Sequence, residues 1–209
     1  MISILIDLVI MKTFLQFSKL NKDQTGFALL MTLIVVTVVV SIGLSILGLS
    51  IKQAQLSTNA KESEVAFHAA NAGSECARLI RKRDAAALEL GQDINPSCFG
   101  VNSSPTSVSP TTPAKIGDGD VYLYHYKFTW GTADVRCTDI YMLIASSSPI
   151  GAGVTTTNMS SVVPGYPNGT DSYCEPGSRC TVLSVQGYNK GCDYITSPGV
   201  VQRDVLLEY

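Results

Sequence analysis

Charge is scarce in this 209-residue chain: Lys, Arg, Asp and Glu together make up 15% of it, against roughly 25% in an ordinary soluble domain. The few charges nearly balance, 15 basic against 17 acidic. That excludes a strongly basic nucleic-acid binder and a disordered acidic tail. Histidine occurs only twice, and neither His68 nor His125 has a nearby nucleophile or a metal-ligand spacing, so both read as structural. No C-x-x-C occurs among the six cysteines, which removes the usual zinc signature. Six cysteines are too few to hold up a mini-scaffold by bridges alone, yet many for a chain kept reduced in the cytosol. With a mean hydropathy of +0.21, these absences leave a plain cytosolic enzyme as the weaker class.

The hydropathy is concentrated in one place. No charged residue occurs between Asp23 and Lys52, and 18 of the 25 residues from Phe27 to Ile51 are apolar. As a helix this stretch spans roughly 38 Å, enough for a hydrocarbon core of about 30 Å. It is several times longer than a usual strand, so its Val and Ile content does not make it one. Lys12, Lys19 and Lys22 precede it, and only Lys52 and Lys61 follow closely. This bias predicts a cytoplasmic N-terminus and an exported remainder, which would give the cysteines a compartment that permits disulfides. The first ten residues, MISILIDLVI, fit poorly ahead of a basic leader, which suggests a translation start at Met11.

A secretory signal has a shorter apolar core and a small-x-small cleavage site after it. Here the notable residues lie on the near side: Lys22-Asp23-Gln24-Thr25-Gly26, then Phe27-Ala28-Leu29-Leu30. This arrangement resembles the class III leader of type IV pilins and pseudopilins. A second segment, Glu62 to Gly73, contains Ala69-Ala70-Asn71-Ala72-Gly73, similar to the Ala-Ala-x-Ala-Gly segment of minor pilins of the PilX type. The resemblance covers about residues 12–83. It implies cleavage after Gly26 by a prepilin peptidase, methylation of the new N-terminal Phe27, and a helix that anchors in the inner membrane before packing against other pilin-like subunits.

Two positions depart from that pattern. Major pilins usually carry Glu at the fifth residue after the cut, where this chain has Met31; the resemblance then implies a minor or tip-associated subunit. Gly48 stands where many pilins have a helix-breaking Pro. Gly43 and Gly48 could mark a softened stretch, since Gly is a poor helix former. Equally, Ser41, Gly43, Ser45 and Gly48 could allow close helix packing in a membrane.

Past Lys52 the pattern turns amphipathic, with Ala60, Phe67, Ala70, Gly73, Ala77 and Ile80 at helical spacings. It predicts one helix to Arg83 or Leu90, stopped by Gly91 and Pro96, with a small-residue stripe against a globular part. Val101 to Pro113 is Ser/Thr/Pro-rich and reads as a loop or mobile insertion. Strands are expected over Val121–Trp130, Asp134–Ala145, Cys180–Tyr188 and Val200–Tyr209. In the first, alternation sets Tyr122, Tyr124, Tyr126 and Phe128 against Val121, Leu123 and Trp130. Ser146 to Arg179 reads as a surface excursion. The expected fold is α+β: a leader over 1–26, a long helix over 27–90 with its transmembrane half over 27–51, and a disulfide-containing, β-rich exported domain over 91–209. In that domain the helix packs on a roughly four-stranded antiparallel sheet.

Antiparallel pairing of the second and third strands would bring Cys137 near Cys192. Cys174 and Cys180 can close across Pro176-Gly177, which leaves Cys76 for Cys98. Asp118-Gly119-Asp120 lacks the rest of an EF-hand loop and reads as a tight turn. Asn158 and Asn168 begin glycan-acceptor triplets, which in a pilin-like, prokaryotic setting are incidental. The run Arg78, Arg81, Lys82 and Arg83 either captures DNA or complements the negative end of a helix dipole. No cofactor and no catalytic cluster is expected. The functional expectation is a structural pilin-like subunit of a type IV pilus or a related secretion or uptake filament, held first in the cytoplasmic membrane and then at the cell surface. The alternatives are a membrane-anchored binding or adhesion domain that never polymerises and, more remotely, an exported enzyme.

Overall fold

The computed structural model describes residues 25–132 and 135–209. The leader up to Gln24, the Met11 start and Asp134 at the head of the second expected strand lie outside the described residues. Two compact units divide at Ser57/Thr58. The described part of the first is helical throughout, the opening stretch of α1 (Thr25–Arg83). From Leu29 to Ala60 every residue of α1 is exposed. Thr32 and Thr37 donate their hydroxyls to Leu29 O and Ile34 O, each at 2.9 Å, so these polar groups are satisfied within the helix itself.

The second unit, Thr58–Tyr209, is built around a four-stranded antiparallel sheet in the order β4-β5-β8-β9. Its strands are β4 (Gly119–Trp130), β5 (Arg136–Ser147), β8 (Arg179–Tyr188) and β9 (Gln202–Glu208). The last turns of α1 cover one face. Its helix ends at Arg83, and a five-residue helix α2 (Ala85–Glu89) follows. The expected α+β layout is thus present.

Period-2 alternation assigns the sheet's faces. Tyr124, Tyr126 and Phe128 of β4, Ile140, Met142 and Ile144 of β5, and Leu183 and Val185 of β8 form one core with Cys76, Ala77 and Ile80 of α1. Trp130 belongs to this face, not to that of Val121 and Leu123: it shares parity with the tyrosines and stacks on Phe128, ring centroids 5.1 Å apart. The buried stripe of α1 also differs from the sequence pattern. Ala66, Ala69, Ala70, Ala77 and Ile80 are buried, whereas Ala60 and Phe67 are exposed. The stripe follows the smallest side chains because there is no room for a large one. A Cβ on Gly187 of β8 would lie 2.2 Å from Ala66 O and 2.3 Å from Ala70 N, and one on Gly73 would lie 2.1 Å from Thr138 Cγ2.

The excursion over residues 146–179 does more than run along the surface. It forms β6 (Val154–Thr156), the short helix α3 (Met159–Val162) and β7 (Ser172–Cys174). With β3 (Lys115–Gly117) these strands make a small sheet in the order β3-β6-β7. Val154, Met159, Val163 and Cys174 then pack on Val121, Leu123, Leu143, Ala145 and Val182, making a second core on the other sheet face. The Ser/Thr/Pro-rich segment is likewise docked. It opens with β2 (Val101–Asn102), paired with β1 (Ser97–Cys98), and backbone bonds at Ser104 and Thr111 lay the rest along the edge of β4.

Two measurements check this packing. Gly187→Val should cost at least about 2 kcal/mol, because the added carbons must push α1 off the sheet; thermal unfolding should then drop by roughly 4–8 °C. Burial pushes the Tyr124 and Tyr188 hydroxyls up to about 12, and that of the fully buried Tyr126 higher still. Unfolded tyrosines ionise near 10, so the stability these groups hold is intact below about pH 10 and falls as pH rises through about 12. Denaturant melts monitored with tyrosinate absorbance should show that loss; a flat profile across this range would contradict the burial.

Candidate functional site

Three groups of residues carry the chemistry open to this chain. The first is the apolar opening of α1. Phe27 is 71% exposed and Met31 49%, and the large apolar side chains from Leu33 to Ile51 are all exposed. Hydropathy in this helix reaches a mean of 2.7 over 18 residues, none of them buried. A helix of this length and composition is able to cross a membrane. Gly26 and Phe27 lie in its first turn, at the start of the described chain. Gly43 and Gly48 lie mid-helix, and a Cβ at either would meet nothing within 4 Å. The helix is unbroken at both, so its own hydrogen bonds tolerate them without any packed neighbour.

The second group is the cysteines, joined as Cys76–Cys98, Cys137–Cys192 and Cys174–Cys180. These are the pairs expected from the sequence. Register explains the middle one: Cys137 faces Tyr188 across β5 and β8, and Cys192 follows shortly beyond the end of β8. Cys76 ties α1 to β1, and Cys174–Cys180 closes the turn between β7 and β8. Such links typically contribute 2–4 kcal/mol each.

The third group is ionic. At the end of α1, Arg81 lies only 13% exposed, donating to Glu89 Oε1 at 2.8 Å and from Nε to Thr181 Oγ1 at 3.0 Å. Arg179 of β8 takes the other oxygen of Glu89 at 2.9 Å. Arg83 pairs with Asp84 at 2.7 Å, and Arg78 with Glu75 at 3.0 Å. The Asp84 hydrogen bond raises the Arg83 guanidinium's affinity for its proton. Arg81 and Arg83 therefore serve the fold, Arg78 has only an exposed pair within its own helix, and Lys82 has no partner among the described residues. Sequence reading missed Glu89, because its two partners lie 8 residues back and on a distant strand.

Sequence reading also missed a cluster on the second sheet face. Asp139 of β5 is buried and accepts Lys127 Nζ at 3.2 Å, while its other oxygen lies 2.6 Å from His125 Nε2. The His125 ring stacks on Tyr141, centroids 4.1 Å apart. Only the hairpin register, which sets Lys127 opposite Asp139, brings these together. Ser184, opposite Tyr141 on β8, donates its hydroxyl to Pro164 O at 2.5 Å. The cluster neutralises a buried carboxylate. His68 pairs loosely with Glu64 at 3.6 Å on the exposed side of α1. Among the described residues no three His, Cys, Asp or Glu side chains gather as metal ligands.

No protein-family model matches the chain, and no curated protein or solved structure is significantly similar to it. Its function must therefore be read from its own residues. The ion-pair bridge has a direct test. Glu89→Ala strands the nearly buried Arg81 guanidinium and should cost about 3 kcal/mol, measured by denaturant unfolding, whereas Glu75→Ala on the exposed Arg78 pair should change stability by less than about 0.5 kcal/mol.

Proposed function

We propose that this chain is a pilin-like subunit, minor or tip-associated, of a type IV pilus or related secretion or uptake filament. The observation that carries the reading is the opening of α1. From Phe27 to Ile51 its large apolar side chains are exposed among the described residues, and apolar surface on this scale is stable only in lipid or against other apolar helices. A filament subunit uses both environments in turn. The residues ahead of the helix support a processing step: cleavage after Gly26 by a prepilin peptidase removes the charged leader and leaves the apolar helix whole, with Phe27 as a methylated N-terminus. The N-terminus then lies on the cytoplasmic side before extraction, and the disulfide-bonded second unit faces the exterior.

Met31 favours a minor or tip position. At the fifth residue after the cut it offers an uncharged thioether, so it supplies no carboxylate to pair with a neighbouring subunit's terminal amine. The alternative, an anchored binding or adhesion domain that never polymerises, shares the helix and lacks the processing.

N-terminal sequencing and intact mass of the exported form separate the two. The expected mature chain starts at N-methyl-Phe27 and carries three disulfides, detected as six protons missing from the non-reduced mass. Gly26→Ala should block processing and hold the protein in the membrane at its precursor mass. A retained leader in the wild type, or unimpaired processing of the variant, rejects the pilin reading.

A further inference from the structure

The ends of α1, β8 and β9 enclose a cleft of about 580 Å³, lined by Arg78, Lys82, Arg179, Leu207 and Tyr209 together with Arg81 and Glu208. Four of these residues are cationic and one is acidic. Glu89, behind the cleft, takes up much of the charge of Arg81 and Arg179. Arg78 has only the exposed Glu75, and Lys82 has no partner among the described residues. Arg78 and Lys82 are i and i+4, so they stand one above the other on the flank of α1. A cationic rim thus lies over an apolar floor made by Leu207.

A second, independent observation concerns the floor. The sheet has two edges. That of β4 is covered by backbone bonds to Ser104 and Thr111, whereas β9 has no strand beyond it among the described residues. Thr181 and Tyr209 exchange both backbone hydrogen bonds, at 2.7 and 3.1 Å. In an antiparallel pair such exchanges alternate, so the N–H and C=O of Leu206 and Glu208 turn away from β8. Seven residues of strand are thereby open to pairing, with the cationic rim beside their C-terminal half.

We infer that β9 and this cleft together receive an extended acidic segment of a partner protein, added as a fifth strand with its carboxylates toward Arg78 and Lys82. Backbone pairing to Leu206 and Glu208 gives such a segment its register, and alternate side chains then fall on the helix side of the sheet. Lys82, together with Arg78, whose partner Glu75 is exposed, selects carboxylates there. A nucleic-acid backbone fits less well: two available cations are a short track for a phosphate chain, and the cleft has no aromatic ladder for bases. This site depends on the second unit alone, and so stands or falls separately from the processing of Gly26.

The test uses the full chain in detergent micelles and a labelled peptide of about seven residues alternating threonine with glutamate. Fluorescence anisotropy should show binding that weakens with salt. Lys82→Glu and Arg78→Glu should each lower affinity about 10-fold, the scale of one lost charge-assisted hydrogen bond. Hydrogen exchange should slow at the Leu206 and Glu208 amides when the peptide is present. Both variants are at exposed positions, and unchanged thermal melts would confirm that they fold. The inference is overturned if binding is weaker than about 1 mM, if a threonine–lysine peptide binds equally well, or if neither variant changes affinity. Duplex DNA binding more tightly than the peptide, and losing that binding in the same variants, would reassign the cleft to nucleic acid. The outcome of N-terminal sequencing bears on none of these results.

Discussion

The backbone of α1 touches the backbone of the sheet, and most of the second unit is arranged around that contact. It is possible only because Gly187 presents no side chain beneath Ala66 and Ala70, and Gly73 presents none above Thr138 and Val185. Close approach brings a helix carbonyl within reach of a strand side chain: the Thr138 hydroxyl donates to Ala69 O at 2.9 Å and accepts Trp130 Nε1–H at 2.7 Å. In a longer, looser packing that hydroxyl would keep Trp130 and lose the acceptor for its own proton, at a cost of roughly 1–3 kcal/mol. The alanines of the helix are therefore the correct size for a specific geometry, and the short distance turns a polar core residue into a tie between layers.

Once α1 is seated, the remaining ties fall into place along it. Cys76 lies on the same buried stripe one turn past Gly73 and meets Cys98. Ile80 continues the core, and Arg81 reaches Thr181 and Glu89 at the helix end. At the other end Arg203 of β9 donates to Ser63 Oγ from Nε at 2.8 Å and from Nη2 at 2.6 Å. The second sheet face uses different means. Half of it is an apolar core roofed by α3 and β6, and half is a polar cluster around Asp139. A buried carboxylate flanked by Lys127 and His125 is costly to remove from one side only, so this half is specific in register where the apolar half is tolerant.

What was legible in the sequence follows from the range of each signal. The membrane-length helix and the four strands rest on local periodicity, and the structure has them within a few residues; the helix end was left between Arg83 and Leu90, and the structure breaks it at Arg83 before the short α2. Of the cysteine pairs only Cys137–Cys192 followed from strand order; Cys174–Cys180 followed from the short turn, and Cys76–Cys98 was what remained. Trp130 was placed on the wrong face by a miscount of parity; alternation alone assigns it correctly. Phe67 was drawn into the helix stripe because periodicity weighs hydrophobicity, whereas the contact at Gly187 selects for small volume. Residues 146–179 read as surface because Gly, Pro and Ser dominate there, and Val154, Met159 and Val163 are too widely spaced to form a pattern. Their burial depends on β3 and β7, which come from distant parts of the chain. Glu89 and Asp139 were illegible for the same reason: each gains its meaning from partners on other elements.

The scarcity of charge also acquires a physical reading. Part of it belongs to α1, where a charged side chain would be expelled from any apolar surroundings. In the second unit several of the charges that remain are engaged with one another: Arg81 and Arg179 with Glu89, Arg83 with Asp84, Lys127 with Asp139, and Lys115 with Asp120. Each such pair fixes an element at a cost in desolvation, and removes two charges from the set available for recognition. A chain whose charges are few and nearly balanced carries little non-specific electrostatic attraction, so an isolated cation gains in selectivity what the whole lacks in field strength. Lys82 is in that position, beside the β9 edge of the four-stranded sheet, on which no other described strand pairs.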